Sequence, residues 1–287
     1  MPLVLGSHEF GDDELLVMAI VNRTPDSFYD RGATFHGTAA MERVERAVVA
    51  GAALVDVGGV KAGPGQEVDV VEEIRRTAPF VAAVRERHPD LVISIDTWRA
   101  EVAHEAVAAG ADLINDTWSG TDPRLAEVAA ETGVGLVCSH VGPQALRTRP
   151  HRVAYGDVVA DVVRRTTYLA EHAVRLGVRE DAVLVDPTHD FGKTTRHSLE
   201  ITRRLDELVA SGWPVLVSLS HKDFVGETLD LPVDERLAGT LAATAVAAWQ
   251  GARVFRAHDV AATRQVLDLV ASVRGGRPPA VARRGLA

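Results

Sequence analysis

A chain of 287 residues, 46% hydrophobic and 25% charged, can bury a large core under a solvated surface, and its length suits one α/β barrel. A formal net charge of −9 disfavours non-specific binding to nucleic acid or anionic membranes, although a few concentrated basic residues can still hold an anionic substrate. The single cysteine, Cys138, excludes an intramolecular disulfide and a cysteine-based zinc cluster. No apolar stretch approaches the ~20 residues of a membrane span, and no basic segment precedes an apolar leader, so a cytoplasmic protein is expected.

The first 13 residues or so read as a mobile end. Eight short apolar runs follow: Leu15–Val21, Ala53–Val57, Leu91–Ile95, Ala111–Ile114, Gly133–Cys138, Ala182–Val185, Trp213–Leu219 and Arg253–Phe255. Each is nearly continuous in hydrophobicity and bounded by Gly, Asp, Asn or Pro, as strands buried on both faces are. Stretches with helical spacing separate them, among them Ala39–Ala50, Val70–Arg87, Arg99–Ala109 and Glu235–Trp249. This alternation predicts parallel crossovers, in a (β/α)8 TIM barrel or a doubly wound open sheet. The strand ends favour the barrel. Polar or glycine residues close nearly every run: Asn22, Gly58-Gly59, Asp96-Thr97, Asn115-Asp116, His140, Asp186, Ser220 with Lys222, and Arg256 with His258. An open sheet uses mainly the strand ends near its switch point, whereas a barrel mouth uses them all. No linker divides the chain, so residues 1–287 are expected to form one domain, with a second mobile end over 275–287. The long connections 23–38, 60–68 and 141–157 are of the length that functional loops have.

The chemistry-bearing residues fall into two sets. Asp96, Asn115 and Asp186 each follow leucine or β-branched residues directly, so their side chains are expected in an apolar cup where an unpaired carboxylate is costly. Asp96 and Asp186 can cap the following helices. Alternatively, with Asn115, they can accept from and donate to the edge of a 2-amino-4-oxo heterocycle. The basic set is Lys222, Arg256 and His258, with Lys193 and His140 as possible additions. Arg256 at a strand end suggests an anion or a ring to stack on, or an ion pair with a barrel carboxylate. His258 falls on the same side of an extended chain. Gly58-Gly59 with Gly63-Pro64-Gly65 makes a flexible loop, but neither a Walker sequence nor a helix-opening G-x-G-x-x-G accompanies it. No nucleophile elbow supports a Ser-His-Asp reading. His189, between Asp186 and Asp190, lacks the partners of a zinc site. A loosely held Mg²⁺ on Asn22 and a substrate phosphate fits better.

Taken in order, N-R-T-P-D-S-F (Asn22–Phe28), G-G-x-x-x-x-P-G (Gly58–Gly65), S-I-D-T, I-N-D, D-P-x-x-x-F-G-K, L-S-x-K and R-x-H-D resemble the dihydropteroate synthase family from about Leu15 to Val273. The resemblance implies a (β/α)8 barrel, usually a homodimer. It implies condensation of 6-hydroxymethyl-7,8-dihydropterin diphosphate with p-aminobenzoate, releasing pyrophosphate. On this basis Asp96, Asn115, Asp186, Lys222 and Arg256 would hold the pterin, while Asn22, Arg256 and His258 would meet the diphosphate and a weakly held Mg²⁺ on Asn22. Asp96, Lys222 and Arg256 would carry the catalytic role, with Asp96 opposing the positive charge left on the pterin as diphosphate departs.

The chain departs from that pattern in a concentrated way. Where the family has E-S-T-R-P-G, this sequence has Val60-Lys61-Ala62-Gly63-Pro64-Gly65, so the Thr and Arg that help assemble the amine site are Ala62 and Gly63. Asp223 stands where Ser usually follows the lysine, opposing a p-aminobenzoate carboxylate and offering no hydroxyl. Tyr29 and Arg31 replace small residues of the first loop, and Thr188-His189-Asp190 replaces a glycine-rich G-I-G. The expectation is a pterin site kept and a second-substrate site altered, as in the divergent second synthase of mycobacteria and related actinobacteria, which is regarded as inactive or altered. An active synthase, a pterin transferase with another amine acceptor, and a pterin-binding protein without turnover are the alternatives. The Ala-rich stretch Leu237–Trp249 is compatible with burial against a second subunit or with a core-only helix.

Overall fold

The computed structural model describes residues 1–24, 37–61, 63–142, 145, 147 and 153–284. Its strands are β1 (Leu3–Leu5), β2 (His8–Phe10), β3 (Leu16–Asn22), β4 (Leu54–Gly58), β5 (Val92–Asp96), β6 (Leu113–Asp116), β7 (Gly135–Ser139), β8 (Val183–Asp186), β9 (Leu216–Val217) and β10 (Val254–Ala257). Its helices are α1 (Gly37–Val49), α2 (Val70–Arg87), α3 (Ala100–Ala108), α4 (Arg124–Thr132), α5 (Val158–Leu176), α6 (Thr195–Arg203), α7 (Leu205–Val209), α8 (Asp223–Leu229), α9 (Leu237–Gln250) and α10 (Val260–Val273). Among the described residues no helix is long and apolar enough to cross a membrane.

Eight strands form one parallel sheet in the order β8-β7-β6-β5-β4-β3-β10-β9. A bridge from Val185 to Val215 and a bond from Val185 N–H to Pro214 O (3.0 Å) bring its two edges together, so the (β/α)8 barrel is nearly closed. The seventh run is the exception among the predicted strands. Only Leu216–Val217 pair regularly, because the Arg253 and Val254 amides converge on Val215 O (2.9 and 3.1 Å) and interrupt the ladder.

Strand side chains alternate between the barrel interior and the helical shell. The inward positions Leu16, Met18, Leu54, Val92, Leu113, Val137, Leu184, Leu216 and Val254 form one apolar cluster. Leu3 and Leu5 join it. Residues expected as a mobile end therefore form an antiparallel hairpin, Leu3 opposite Phe10, that closes the barrel floor. Arg253 fastens it through the carbonyls of Met1, Phe10 and Gly11. Two residues beyond these apolar positions the same inward face turns polar in every barrel strand but β3, which has Ile20 there: Asp56, Ser94, Asn115, Ser139, Asp186, Ser218 and Arg256. Apolar floor below and polar layer above place the chemistry at the carboxyl ends of the strands.

Candidate active site

Arg256 sits at the centre of the polar layer. Its Nε donates to Asp56 Oδ2 (2.5 Å) and its Nη2 to Asp96 Oδ2 (2.8 Å). Asp56 also accepts from Ser94 Oγ (2.6 Å) and Asn115 Nδ2 (3.1 Å), and Asp96 from Thr117 Oγ1 (3.1 Å). Both carboxylates are thus hydrogen-bonded on each oxygen, the condition under which a buried charge pair is tolerated. Asp96 does not cap α3. Burial pushes its carboxyl up to about 7, despite Arg256, with Asp56 adding to the rise. Burial opposes the Arg256 charge as well, but Asp56 and Asp96 offset that and hold its pKa above the ordinary value.

The ion pair expected as one option for Arg256 is therefore present, and Asp56 is the partner that the strand reading passed over. Asp56 was counted inside the apolar run Ala53–Val57. A lone carboxylate two residues after an inward leucine, Leu54, was the available signal.

Asn115 is buried, and its Oδ1 has no hydrogen-bond partner. A buried acceptor left open in this way is suited to a ligand N–H. Asp186 accepts the Thr188 amide (2.6 Å), stabilising a turn rather than a helix start, and burial raises its pKa against the influence of Lys222. Lys222 donates to His189 O (2.5 Å) and lies 4.6 Å from the centre of the Phe191 ring. Burial lowers its pKa, and Asp190 and Asp186 act against that. Asn22 meets Asp96 across Gly58: a methyl on Gly58 would lie 3.7 Å from Asp96 Oδ2 and 3.8 Å from Asn22 Oδ1. His258 is buried with Nδ1 2.9 Å from Ser220 Oγ. The geometry thus brings Asn22, Asp96, Asn115, Asp186, Lys222, Arg256 and His258 to one mouth.

Lys193 and His140 belong to the scaffold instead. Lys193 Nζ donates to the carbonyls of His140, Thr188 and Phe191 (2.6, 3.0 and 2.9 Å), and His140 Nε2 is 2.8 Å from Asp161. His189 packs on Phe224, its Nε2 3.1 Å from Thr202 Oγ1. Thr188 and Asp190 keep left-handed backbones (φ 51° and 70°), a conformation that the glycines of the usual loop adopt without strain.

Around the mouth runs a rim that differs from the expected family pattern. Asp26, Ser27, Tyr29 and Arg31 of the first loop, and Ala62 of the second, lie outside the described residues. The second loop is held through its carbonyls by three arginines. Arg76 bonds Gly59 O (3.0 Å), Arg99 bonds Val68 O (2.8 Å), and Arg147 bonds Lys61, Gly63 and Gln66 O (3.1, 3.2 and 3.0 Å). Beneath it, Trp98, Trp118 and Phe191 meet edge to face, with centroids 6.4 and 5.5 Å apart, and Val60 and Val141 complete the cluster. Asp223 is about half exposed and bonded to Arg236 Nη1 (2.9 Å). Gly226 makes room for that arginine, since a Cβ there would fall 2.1 Å from Arg236 Nε. The Asp223 charge is thus partly compensated, but its side chain still offers no donor.

Comparisons with known proteins agree with this architecture. The family model described as pterin binding enzyme matches residues 18–258. Inactive dihydropteroate synthase 2 of Mycobacterium leprae is 63% identical over 279 residues, covering 96% of each chain. Dihydropteroate synthase of Escherichia coli is 37% identical over 257 residues, covering 88% of this chain and 90% of that one. Among solved structures, the Yersinia pestis dihydropteroate synthase with a sulfonamide drug superposes with a TM-score of 0.91 at 35% identity, covering 96% of this chain and all (100%) of that one. The chain belongs to the pterin-binding enzyme family, in its dihydropteroate synthase branch, and is similar to the second synthases of mycobacteria that are called inactive.

Proposed function

We propose that this chain binds a 6-hydroxymethyl-dihydropterin diphosphate in the polar layer but supports the standard condensation with p-aminobenzoate weakly or not at all. One observation carries the reading: a buried, mutually bonded polar layer suited to a pterin lies beneath a rim whose described residues place Gly63 and the Asp223 carboxylate where a carboxylate-bearing amine would need donors. Asn115 Oδ1, Asp96 and Asp186 offer acceptors to an N–H-rich ring edge, and Asn115 Nδ2 and Lys222 offer donors. Arg256 is fixed by two carboxylates, so its guanidinium can lie over the ring and face the diphosphate without reorganising. His258 and Asn22 would meet the same diphosphate. The Asn22 amide oxygen fits a weakly held Mg²⁺, a hard cation commonly bound by few protein ligands together with phosphate oxygens. The ion would neutralise charge on the leaving diphosphate, and Asp96 would oppose the positive charge left on the pterin.

On the rim, Gly63 supplies no guanidinium, and Arg147 is engaged with backbone carbonyls. Asp223 presents a half-exposed carboxylate where p-aminobenzoate would bring its own. That same carboxylate favours a neutral or cationic amine as acceptor, the second reading. The homodimer that the family resemblance implies is proposed for this chain, through apolar side chains exposed on α9 and α10.

Pyrophosphate release from the pterin diphosphate with Mg²⁺, with and without p-aminobenzoate, tests the proposal alongside calorimetric pterin binding. Binding without p-aminobenzoate-dependent release is expected. Release that requires p-aminobenzoate and is blocked by a sulfonamide would overturn it in favour of an active synthase.

A further inference from the structure

Ser220, between β9 and α8, is buried, and among the described residues its hydroxyl hydrogen-bonds only to His258 beyond β10. Its hydroxyl accepts the His258 backbone N–H (3.2 Å) and stands 2.9 Å from Nδ1 of the same residue. A hydroxyl has one proton and two lone pairs. With a lone pair taken by the amide, its proton finds an acceptor among the described residues only in Nδ1. Donation to Nδ1 leaves the single proton of a neutral imidazole on Nε2. Two arginines and a second imidazole lie near the ring. Arg256 is two residues away, the Arg43 guanidinium bonds the His258 carbonyl, and the His221 ring, itself 2.7 Å from Asp259, crosses it at 5.9 Å. Burial first, then Arg256, His221 and Arg43, hold the His258 pKa well below the ordinary histidine value, so the neutral ring is the form to consider.

We propose that Ser220 is a positioning residue that fixes His258 in the Nε2–H tautomer, so that the ring presents a neutral N–H donor to a diphosphate-class anion. The opposite tautomer would set an Nε2 lone pair against phosphate oxygens, acceptor against acceptor. The anion part of this inference rests on the function proposed above; the tautomer part rests on geometry alone.

Long-range ¹H–¹⁵N spectra of histidine-labelled, ligand-free protein test the tautomer, with the His258 signals assigned by their loss in His258→Gln. Wild type and Ser220→Thr, which retains the hydroxyl, should show an unprotonated Nδ1 and a protonated Nε2; Ser220→Ala should show a mixed or reversed pattern. A protonated Nδ1 in the wild type would overturn the proposal. Calorimetry with inorganic pyrophosphate and Mg²⁺ then tests the consequence. Ser220→Ala should bind about tenfold more weakly, the size of one hydrogen bond to a charged group, with Ser220→Thr near wild type. Equal affinity in wild type and Ser220→Ala would overturn the positioning role. A wild type that binds no pyrophosphate would instead overturn the functional reading beneath it, and the ligand-free spectra tell the two failures apart.

Discussion

The behaviour of individual residues in the mouth follows from burying charge in pairs. Arg256 is held by Asp56 and Asp96, and Asp56 is completely buried. Removing one partner of such a group leaves an uncompensated charge in a low dielectric. Asp56→Ala should therefore cost about 3–5 kcal/mol of stability in urea denaturation. A loss below ~1 kcal/mol would mean that Arg256 finds water or another partner. Asp96 makes a separate, pH-dependent prediction. Its folded-state pKa is raised from 3.8 to about 7, so between those values the folded state holds a proton that the unfolded state has released. Stability contributed by this residue is then greatest below its unfolded pKa and declines as pH rises towards its folded one, at up to about 1.4 kcal/mol per pH unit. Relative to wild type, Asp96→Asn should flatten that decline between about pH 4 and 7. Parallel stability curves for the two proteins would show that Arg256 already keeps Asp96 ionised.

At the scale of strands and loops, the two halves of the site differ in how they are built. The buried polar layer is supplied by strand positions, whose directions the period of two fixes. That is why Asp96, Asn115, Asp186 and Arg256 were legible as a group from the residues that close each apolar run. The rim is supplied by loops, and its contacts join residues far apart in sequence. Arg147 reaches back more than eighty positions to the carbonyls of Lys61 and Gly63 (separations of 86 and 84), and Arg236 reaches Asp223 across a helix. Backbone carbonyls carry no sequence signal, so the Arg147 clamp was not readable in advance. For the same reason the sequence offers Lys193 as a possible addition to the basic set, whereas three carbonyls hold it. If the rim is what lacks function, replacing its chemistry should restore turnover. Ala62→Thr, Gly63→Arg and Asp223→Ser combined should raise p-aminobenzoate-dependent pyrophosphate release by about 10²-fold or more, the effect of a preorganised donor on developing charge. A well-folded triple variant with no gain would move the defect away from these loops.

Viewed as a whole molecule, the barrel has a sealed end, a polar mouth and a flank, and each was legible to a different degree. Polar strand ends marked the mouth. The hairpin sealing the floor was not foreseen, because its strands of three residues are too short for periodicity to register. The flank carries the remaining question. A helix with solvent on its outer face should be polar there, yet Val246 and Trp249 of α9 are 45% and 59% exposed, and Leu269 and Val273 of the neighbouring α10 are 66% and 65% exposed. Adjacent exposed apolar residues on two packed helices mark an association surface more often than isolated ones do. A second copy of the chain, related by a two-fold axis, covers such a face with itself. Light scattering should therefore give twice the monomer mass. Trp249→Glu, which places a charge on this exposed apolar face, should shift the protein to monomer while leaving pterin binding at the mouth intact. A wild type that is monomeric at tens of micromolar would reject the dimer. A dimeric Trp249→Glu would place the interface on another face.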